Sequence, residues 1–269
     1  MDVDELLNRY AAGERDFRQA VLIGADLRQV NLCEINLIDA DLHQANLSGA
    51  NLGGAKFKAA DLHSANLSGA NLINADMSGT GLGSVNLSEA NLRGAKLVEV
   101  NLNEANLSGV NLSKVNLSGA SLSGTKLIEA YLSGANLEGA NLTHAMLNKA
   151  NLEGANLTHA ILSAANLTGT NLSGANLSMT KLIGANLSGA NLSKGNLRGA
   201  IINWANLRGA NLQGATLYRA QLHWSNLTEA NLTETILIDT NLRGSNLRDV
   251  EMNGANLSGT IMPDGTVHT

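Results

Sequence analysis

The stretch Ala135 to Leu177 reads ANLEG ANLTH AMLNK ANLEG ANLTH AILSA ANLTG TNLSG ANL, and it repeats one five-residue unit without a gap. The unit continues in both directions, because every fifth residue from Phe17 to Met262 is Leu, Phe, Met or Ile. The residue two positions before each of these centres is mostly Ala, and the residue directly before it is mostly Asn. The chain is therefore one continuous internal repeat with two short ends that do not follow it.

A period of five fits neither an α-helix nor a flat strand. Five residues of α-helix advance by about 500°, so the centres would drift around the axis. Along a flat strand, alternate side chains face opposite sides, so successive centres would also face opposite sides. All the centres can point inward only if the chain turns a corner in every unit. A chain that turns repeatedly in one sense forms a coil, and stacked coils pair their backbones about 4.8 Å apart.

The residue before each centre indicates how many units close one coil. When the units are sorted into four columns, the positions that are not Asn concentrate in one column, where only Asn101, Asn141 and Asn241 keep the asparagine. Sorting into three or five columns spreads them more evenly. We therefore expect a coil of four units and a rod roughly 60 Å long. The distinctive column contains Val21, Asp41, Asp61, Gly81, Asn101, Ser121, Asn141, Ile161, Lys181, Ile201, Gln221, Asn241 and Ile261.

The unit Ala-(Asp/Asn)-Leu-x-x, as in Ala25-Asp26-Leu27 and Ala45-Asn46-Leu47, resembles that of the pentapeptide-repeat family. The resemblance implies an all-β fold, a right-handed quadrilateral parallel β-helix with one unit on each side. It also implies that the centre and the residue two before it face inward. The chain is most similar to the cyanobacterial members, most of which have no assigned function. A few bacterial members protect DNA gyrase from quinolones by imitating DNA.

Composition narrows the class of protein. Hydrophobic residues make up 44% of the chain but aromatic residues only 3%, which suits a narrow core of Leu and Ala. The net charge of −5 does not favour nucleic-acid binding through a basic surface. A disulfide within the chain is impossible with Cys33 as the only cysteine. We expect no leader peptide, no membrane span and a cytoplasmic location.

The chain divides into three parts. Residues 1–14 lie outside the repeat and predict a short N-terminal capping helix, with acidic residues in its first turn and Gly13 after it. Residues 15–262 are expected to form the β-helix of about 12 coils, and residues 263–269 a C-terminal tail. The sequence predicts no second helix to cap the last coil, so an end-to-end homodimer is a possible arrangement.

Trp204 and Trp224 are the only tryptophans, and they stand four repeat units apart. That spacing predicts that they stack on neighbouring coils of one face, with Ile201 and His223 on the same face. Exposed aromatic clusters often mark partner sites, so these four residues are candidates for binding a protein. The alternative interpretation is an aromatic ladder that only shields the edge of the coil.

The segments Asp41-Leu42-His43 and Asp61-Leu62-His63 are likewise separated by one expected coil. The spacing brings two Asp and two His together, a set that could suit zinc. The alternative is a solvated polar face, because no second shell of supporting groups is evident. We therefore assign no metal site and no cofactor, and keep Asp41, His43, Asp61 and His63 only as a candidate patch.

No combination of nucleophile, base and orienting group stands out, and a filled coil has no active-site cavity. The sequence thus favours a non-enzymatic repeat scaffold that binds an unidentified protein partner. The alternative is a DNA mimic that regulates a topoisomerase such as gyrase. A mimic needs a dense acidic stripe, since duplex DNA carries a charge about every 1.7 Å. This chain has 23 acidic and 18 basic residues and no long acidic column.

Overall fold

The computed structural model describes all residues from Met1 to Thr269. It contains one helix, α1 (Val3–Ala11), followed by a coil that continues to the end of the chain. The coil has no long strands: it pairs through single-residue parallel bridges, each joining a residue to its equivalent one coil later, from Asp16↔Asn36 to Asn241↔Ile261. The four-unit coil inferred from the sequence is confirmed, and the fold is a right-handed quadrilateral parallel β-helix.

The coil has four sides, which we number by their first bridging residue. Side 1 begins at Asp16, side 2 at Val21, side 3 at Asp26 and side 4 at Asn31, and each side recurs once in every coil. The distinctive column of the sequence forms side 2. No helix in the structure has the length and apolar content needed to cross a membrane.

The interior is filled by the two predicted inward positions. Together with Leu6 of α1, the centres and the residues two before them form one cluster of 81 buried hydrophobic residues, most of them Leu or Ala. Where Thr replaces Ala, its hydroxyl donates to the carbonyl of a centre one coil earlier, as Thr170 does to Leu147 at 2.7 Å. Such a pairing removes the cost of burying a hydroxyl group, and the threonine is accommodated in the core.

Helix α1 covers the first coil. The Asp2 side chain accepts from the Glu5 backbone N–H at 2.8 Å and so caps the helix, while Leu6 is fully buried against the core. The Tyr10 hydroxyl donates to the Cys33 carbonyl at 2.9 Å. The helix therefore shields the leucines of the first coil and is tied to its fourth side.

In a regular unit, four of the five backbone N–H groups donate to backbone carbonyls. In the unit Ala45–Gly49, three N–H groups pair with neighbouring coils: Asn46 with the Ala25 carbonyl, Leu47 with that of Asn66, and Gly49 with that of Ser68. Each turn is closed by an N–H of the next unit, as Ala50 donates to the Leu47 carbonyl at 3.1 Å. The remaining N–H, of Ser48, donates to the side-chain oxygen of Asn46 at 3.2 Å.

A left-handed residue makes the corner after each centre. Every fifth residue from Gln19 to Gly259 has a positive φ. A β-turn with positive φ at its third residue favours glycine, which explains why Gly is so common at this position. The residues that are not glycine nevertheless adopt φ angles such as +57° at Gln29, because the hydrogen bonds to the coils on either side hold the corner in place.

Outward asparagines form ladders along the rod. On side 3, the amide nitrogens of Asn66, Asn86 and Asn106 donate to the side-chain oxygen of the asparagine one coil earlier, at 3.3, 3.0 and 3.1 Å. Asn fits this position because its amide both donates and accepts. The same oxygen that accepts the ladder bond also accepts the one remaining backbone N–H of its own unit, that of the residue after the centre. Asn86 accepts in this way from Ser88 at 3.2 Å.

The C-terminal tail folds back on the last coil and covers part of it. Val267 pairs antiparallel with Ile261, and the carbonyls of His268 and Thr266 accept from the N–H groups of Gly259 and Met262. On the other sides of this coil the edge is open. The N–H groups that would pair with a further coil there have no backbone acceptor, namely those of Leu247, Asp249, Met252, Gly254 and Leu257.

Replacing Asn86 tests the two roles of the ladder asparagine separately. Asn86→Ala removes the acceptor for the Ser88 N–H and the Asn106 amide together with the donor to Asn66, so we expect a loss of about 1–2 kcal/mol in the free energy of unfolding. Asn86→Asp keeps the acceptor and loses only the donor, so it should destabilise less than Asn86→Ala at neutral pH. Urea denaturation measures both losses. Equal losses would show that capping of the Ser88 N–H contributes nothing.

Candidate functional site

Side 2 differs from the other sides because its asparagine ladder is missing over most of its length. In its C-terminal half the bridging residues Ile161, Lys181, Ile201 and Gln221 are not asparagine. Asn203, two residues after Ile201, accepts the His223 N–H at 3.0 Å instead. The outward bridging positions of side 2 are therefore less constrained by the asparagine ladder than those of the other sides.

The structure places Trp204 and Trp224 at the corner that follows side 2, on neighbouring coils. Their side chains are 63% and 62% exposed, more than any other large hydrophobic residue of the chain. Their backbones are fixed by the adjacent coils: Trp204 N–H donates to the His223 carbonyl at 2.9 Å and Trp224 N–H to the Arg243 carbonyl at 3.1 Å. Two large aromatic surfaces thus face solvent on a rigid support.

Gly244, at the corner one coil after Trp224, leaves space for the indole ring of Trp224. A Cβ added at Gly244 would lie 2.5 Å from Cε3 of Trp224, which shows that this ring lies directly over Gly244. Trp204 and Trp224 occupy the left-handed corner position, with φ of +55° and +57°. Gly would fit this position better than Trp by about 1 kcal/mol, so local backbone geometry does not account for either tryptophan.

Ile201 and His223, the other two candidates, lie on side 2 beside the corner and are half-buried. We call Ile201, Trp204, His223 and Trp224 the tryptophan patch. On adjacent coils and corners lie residues that the sequence reasoning did not assign to this site: Met179, Lys181, Ile183, Arg198, Tyr218 and Arg219. The sequence could have indicated part of this placement, because the four-unit register puts Met179 and Arg219 in the row of corners on the other edge of side 2.

The candidate metal patch lies near the other end of side 2, and the structure gathers three of its four residues. One ligand atom from each of Asp41, His43 and Asp61 lies within 4.8 Å of the others. His43 Nδ1 is 2.8 Å from Asp41 Oδ1, and the hydrogen bond from this side chain is the main reason why the pKa of Asp41 is lowered. All three groups are at the surface, where exposed acidic groups are common without a metal.

His63 lies apart from this group. A Cβ added at Gly83 would lie 2.7 Å from His63 Nδ1, so the imidazole is turned toward the following coil. Gly83 leaves the space that the ring occupies. The four-unit spacing thus places His63 on the correct face but does not determine its rotamer, and the four residues stay a candidate patch to which no metal is assigned.

The family model described as pentapeptide repeats matches residues 16–54, 40–79, 86–124, 125–163, 160–199, 196–233 and 225–262. This chain therefore belongs to the pentapeptide-repeat family. No protein with a curated description matches the sequence significantly.

Two similar solved structures are from the cyanobacterium Nostoc sp. PCC 7120. HetL, a pentapeptide repeat protein involved in heterocyst differentiation regulation, is 33% identical, and the alignment covers 100% of each chain with a TM-score of 0.49. The protein alr5209 is 34% identical over 46% of this chain and 80% of its own, with a TM-score of 0.31. The plasmid-mediated fluoroquinolone resistance protein QnrB1 is 19% identical over 90% of this chain and 91% of its own, with a TM-score of 0.29.

Replacing His43 tests whether its side-chain hydrogen bond lowers the pKa of Asp41. In His43→Ala the pKa of Asp41 should rise toward its ordinary value, because the side-chain hydrogen bond is lost. A lowered carboxyl pKa stabilises the folded state above the unfolded pKa, and this contribution is lost as the pH falls through the folded pKa. The difference in stability between parent and variant should therefore shrink in acid. Carbon-detected NMR titration of Asp41 measures the shift, and an unchanged pKa would contradict this account.

Proposed function

We propose that this chain is a non-enzymatic repeat scaffold that binds another protein through the tryptophan patch. The observation that carries the proposal is the exposure of Trp204 and Trp224 on adjacent coils. Large aromatic residues dominate the binding energy of many interfaces. Here they are mounted on a backbone whose hydrogen bonds to the adjacent coils hold them in position, so binding requires little ordering of the main chain.

The interior of the rod supports a scaffold rather than an enzyme. Leu and Ala fill the coil from Phe17 to Leu242, so the regular geometry of the repeat leaves no cavity between the sides for a substrate. The functional surface of such a rod is its outside, where repeats present an extended face to partners.

The alternative function, mimicry of DNA toward a topoisomerase, requires a regular acidic row along one side. On side 2, Asp41 and Asp61 are followed by Gly81, so the acidic row stops after two coils. On side 1, Asp76 pairs with Lys96 at 3.4 Å, which neutralises charge in the row where a mimic would need it. These placements favour the protein-binding scaffold.

The open C-terminal edge suggests a second contact, an end-to-end homodimer. Leu247, Met252 and Leu257 remain partly exposed there, next to N–H groups without a backbone acceptor. Two such ends could cover each other's apolar surface, whereas α1 blocks the N-terminal end of each rod. Multi-angle light scattering across a range of concentrations should then report twice the chain mass. A strictly monomeric mass would rule out this contact.

The tryptophan patch is tested with Trp204→Gly/Trp224→Gly. Gly fits the positive φ of both corners, so the double variant should unfold within about 1 kcal/mol of the parent while it loses the aromatic surface. Pull-down from native extract, with bound proteins identified by mass spectrometry, should show a partner that the parent retains and the double variant does not.

Tyr131→Ala provides the matched control. Tyr131 is 55% exposed but lies on side 4, away from the patch, so this variant should keep the partner. A partner that the double variant retains would move the binding site to another part of the rod.

A further inference from the structure

The coils on the N-terminal side of the tryptophan patch contain no acidic residues. No Asp or Glu occurs between Glu153 and Glu229, whereas the same stretch contains five basic residues: Lys181, Lys194, Arg198, Arg208 and Arg219. The first hundred residues of the chain have the opposite balance, with more acidic than basic residues. The modest net charge of the whole chain thus hides a positive region that reaches the patch from its N-terminal side.

Two cations beside the patch have no carboxylate partner within the chain. These cations are Lys181, which lies on side 2, and Arg198, which lies just before the corner that leads into side 2. Both are exposed and take part in no salt bridge. By contrast, Arg208 and Arg219 pair with Glu229 and Asp239 at 3.0 and 3.4 Å. Lys181 and Arg198 are therefore free to pair with carboxylates from outside.

The side chain of Arg198 is positioned by an aromatic ring. Its guanidinium carbon lies 4.9 Å from the centre of the Tyr218 ring, and that of Arg219 lies 4.8 Å from the same ring. Cation–π contacts of this kind restrict a long side chain without neutralising its charge. Arg198 can thus pair with an incoming carboxylate at a smaller loss of side-chain entropy than an unrestrained arginine would have.

Apolar side chains lie on both edges of side 2 at this level. Met179 is 53% exposed on the edge opposite the tryptophans, and a Cβ added at Gly199 would lie 2.6 Å from its sulfur, so Met179 leans over the next coil. Ile183 is 38% exposed on side 2 itself. Trp204 and Trp224 complete the opposite edge. An apolar strip with basic residues along it therefore extends across about three coils, or roughly 15 Å.

We propose that this surface binds a protein segment in which carboxylates flank apolar side chains. The inference rests on the proposed function and adds the chemistry of the partner. The apolar side chains of such a segment would cover Trp204, Trp224, Met179 and Ile183, while its carboxylates would pair with Lys181 and Arg198. Complementary charge would speed the encounter and reject basic segments, and the aromatic contacts would supply most of the affinity.

A single-stranded nucleic acid fits this surface less well. A strand stacked as in a duplex carries a phosphate about every 3.4 Å, so roughly four phosphates would lie along the strip against two unpaired cations. Bases stack on aromatic rings, which the tryptophans supply, but Met179 and Ile183 offer aliphatic surface that stacking does not use. The mixture of aliphatic, aromatic and basic residues favours a protein segment.

The test uses the full chain and defined probes. Two fluorescein-labelled peptides carry the same apolar core of leucine and tryptophan, one flanked by aspartates and the other by lysines, and a thirty-nucleotide oligo(dT) serves as the third probe. In fluorescence anisotropy the acidic peptide should bind at least about tenfold more tightly than the basic peptide, and its affinity should fall as salt rises.

Charge-reversal variants test whether Lys181 and Arg198 cause the preference for the acidic peptide. Lys181→Glu/Arg198→Glu should weaken the acidic peptide by about tenfold or more and improve binding of the basic peptide. Arg93→Glu/Lys114→Glu makes the same change in net charge at two exposed, unpaired cations on neighbouring coils of side 4, and it should leave both affinities unchanged. Circular dichroism melting checks that the variants remain folded.

Three results would overturn the proposal: equal affinity for the two peptides, tighter binding of oligo(dT) than of the acidic peptide, or no saturation by the acidic peptide up to about 1 mM. Its failure can be separated from failure of the proposed function. If a native partner is lost with Trp204→Gly/Trp224→Gly but kept with Lys181→Glu/Arg198→Glu, the scaffold stands and only the acidic partner is wrong. If both variants keep the partner, the patch itself is wrong.

Discussion

The structure depends on one hydrogen bond that the backbone cannot make for itself. A chain that turns a corner every five residues pairs four of its five N–H groups with carbonyls of the same or adjacent coils, but the N–H after each centre has no carbonyl partner. Asn46 illustrates the solution, because its Oδ1 accepts that N–H from Ser48. The same oxygen also links successive coils, since it accepts from the amide of Asn66. The outward Asn is thus as much a part of the fold as the inward Leu.

This requirement explains why the four sides of the rod differ. Where the asparagine ladder is intact, the outward bridging position has little freedom, since a replacement breaks bonds to two coils. On side 2 the ladder is interrupted, and Asn203 supplies the missing acceptor from a different position. The bridging positions of Lys181 and Ile201 lie outside the ladder, and the N–H groups of Ile183 and Asn203, which follow the centres of those units, have no backbone acceptor. A surface that can diverge without loss of the fold is where a particular function can be accommodated on a repeat scaffold.

The corners add a second route to a specific surface. Glycine satisfies the positive φ at Gly184 and Gly244, yet Trp204 and Trp224 occupy the same row between them. Residues in this position lean toward the coil that follows, as Trp224 leans over Gly244 and Met179 over Gly199. A bulky side chain at one corner followed by glycine at the next therefore presents a flat face to solvent. Both edges of side 2 use this arrangement close to the unpaired cations.

The sequence by itself determined the coil, its four sides, the inward positions and the shared face of Trp204 and Trp224, because a strict period constrains every unit in the same way. Only the tertiary structure showed that His63 turns away from Asp41 and His43, that Arg198 and Arg219 flank Tyr218, and that the tail pairs with one part of the last coil and leaves the rest open. Those features depend on rotamers and on chain ends, where the period no longer applies. They are decided by the particular neighbours that each side chain meets, such as the space left by Gly83 beside His63.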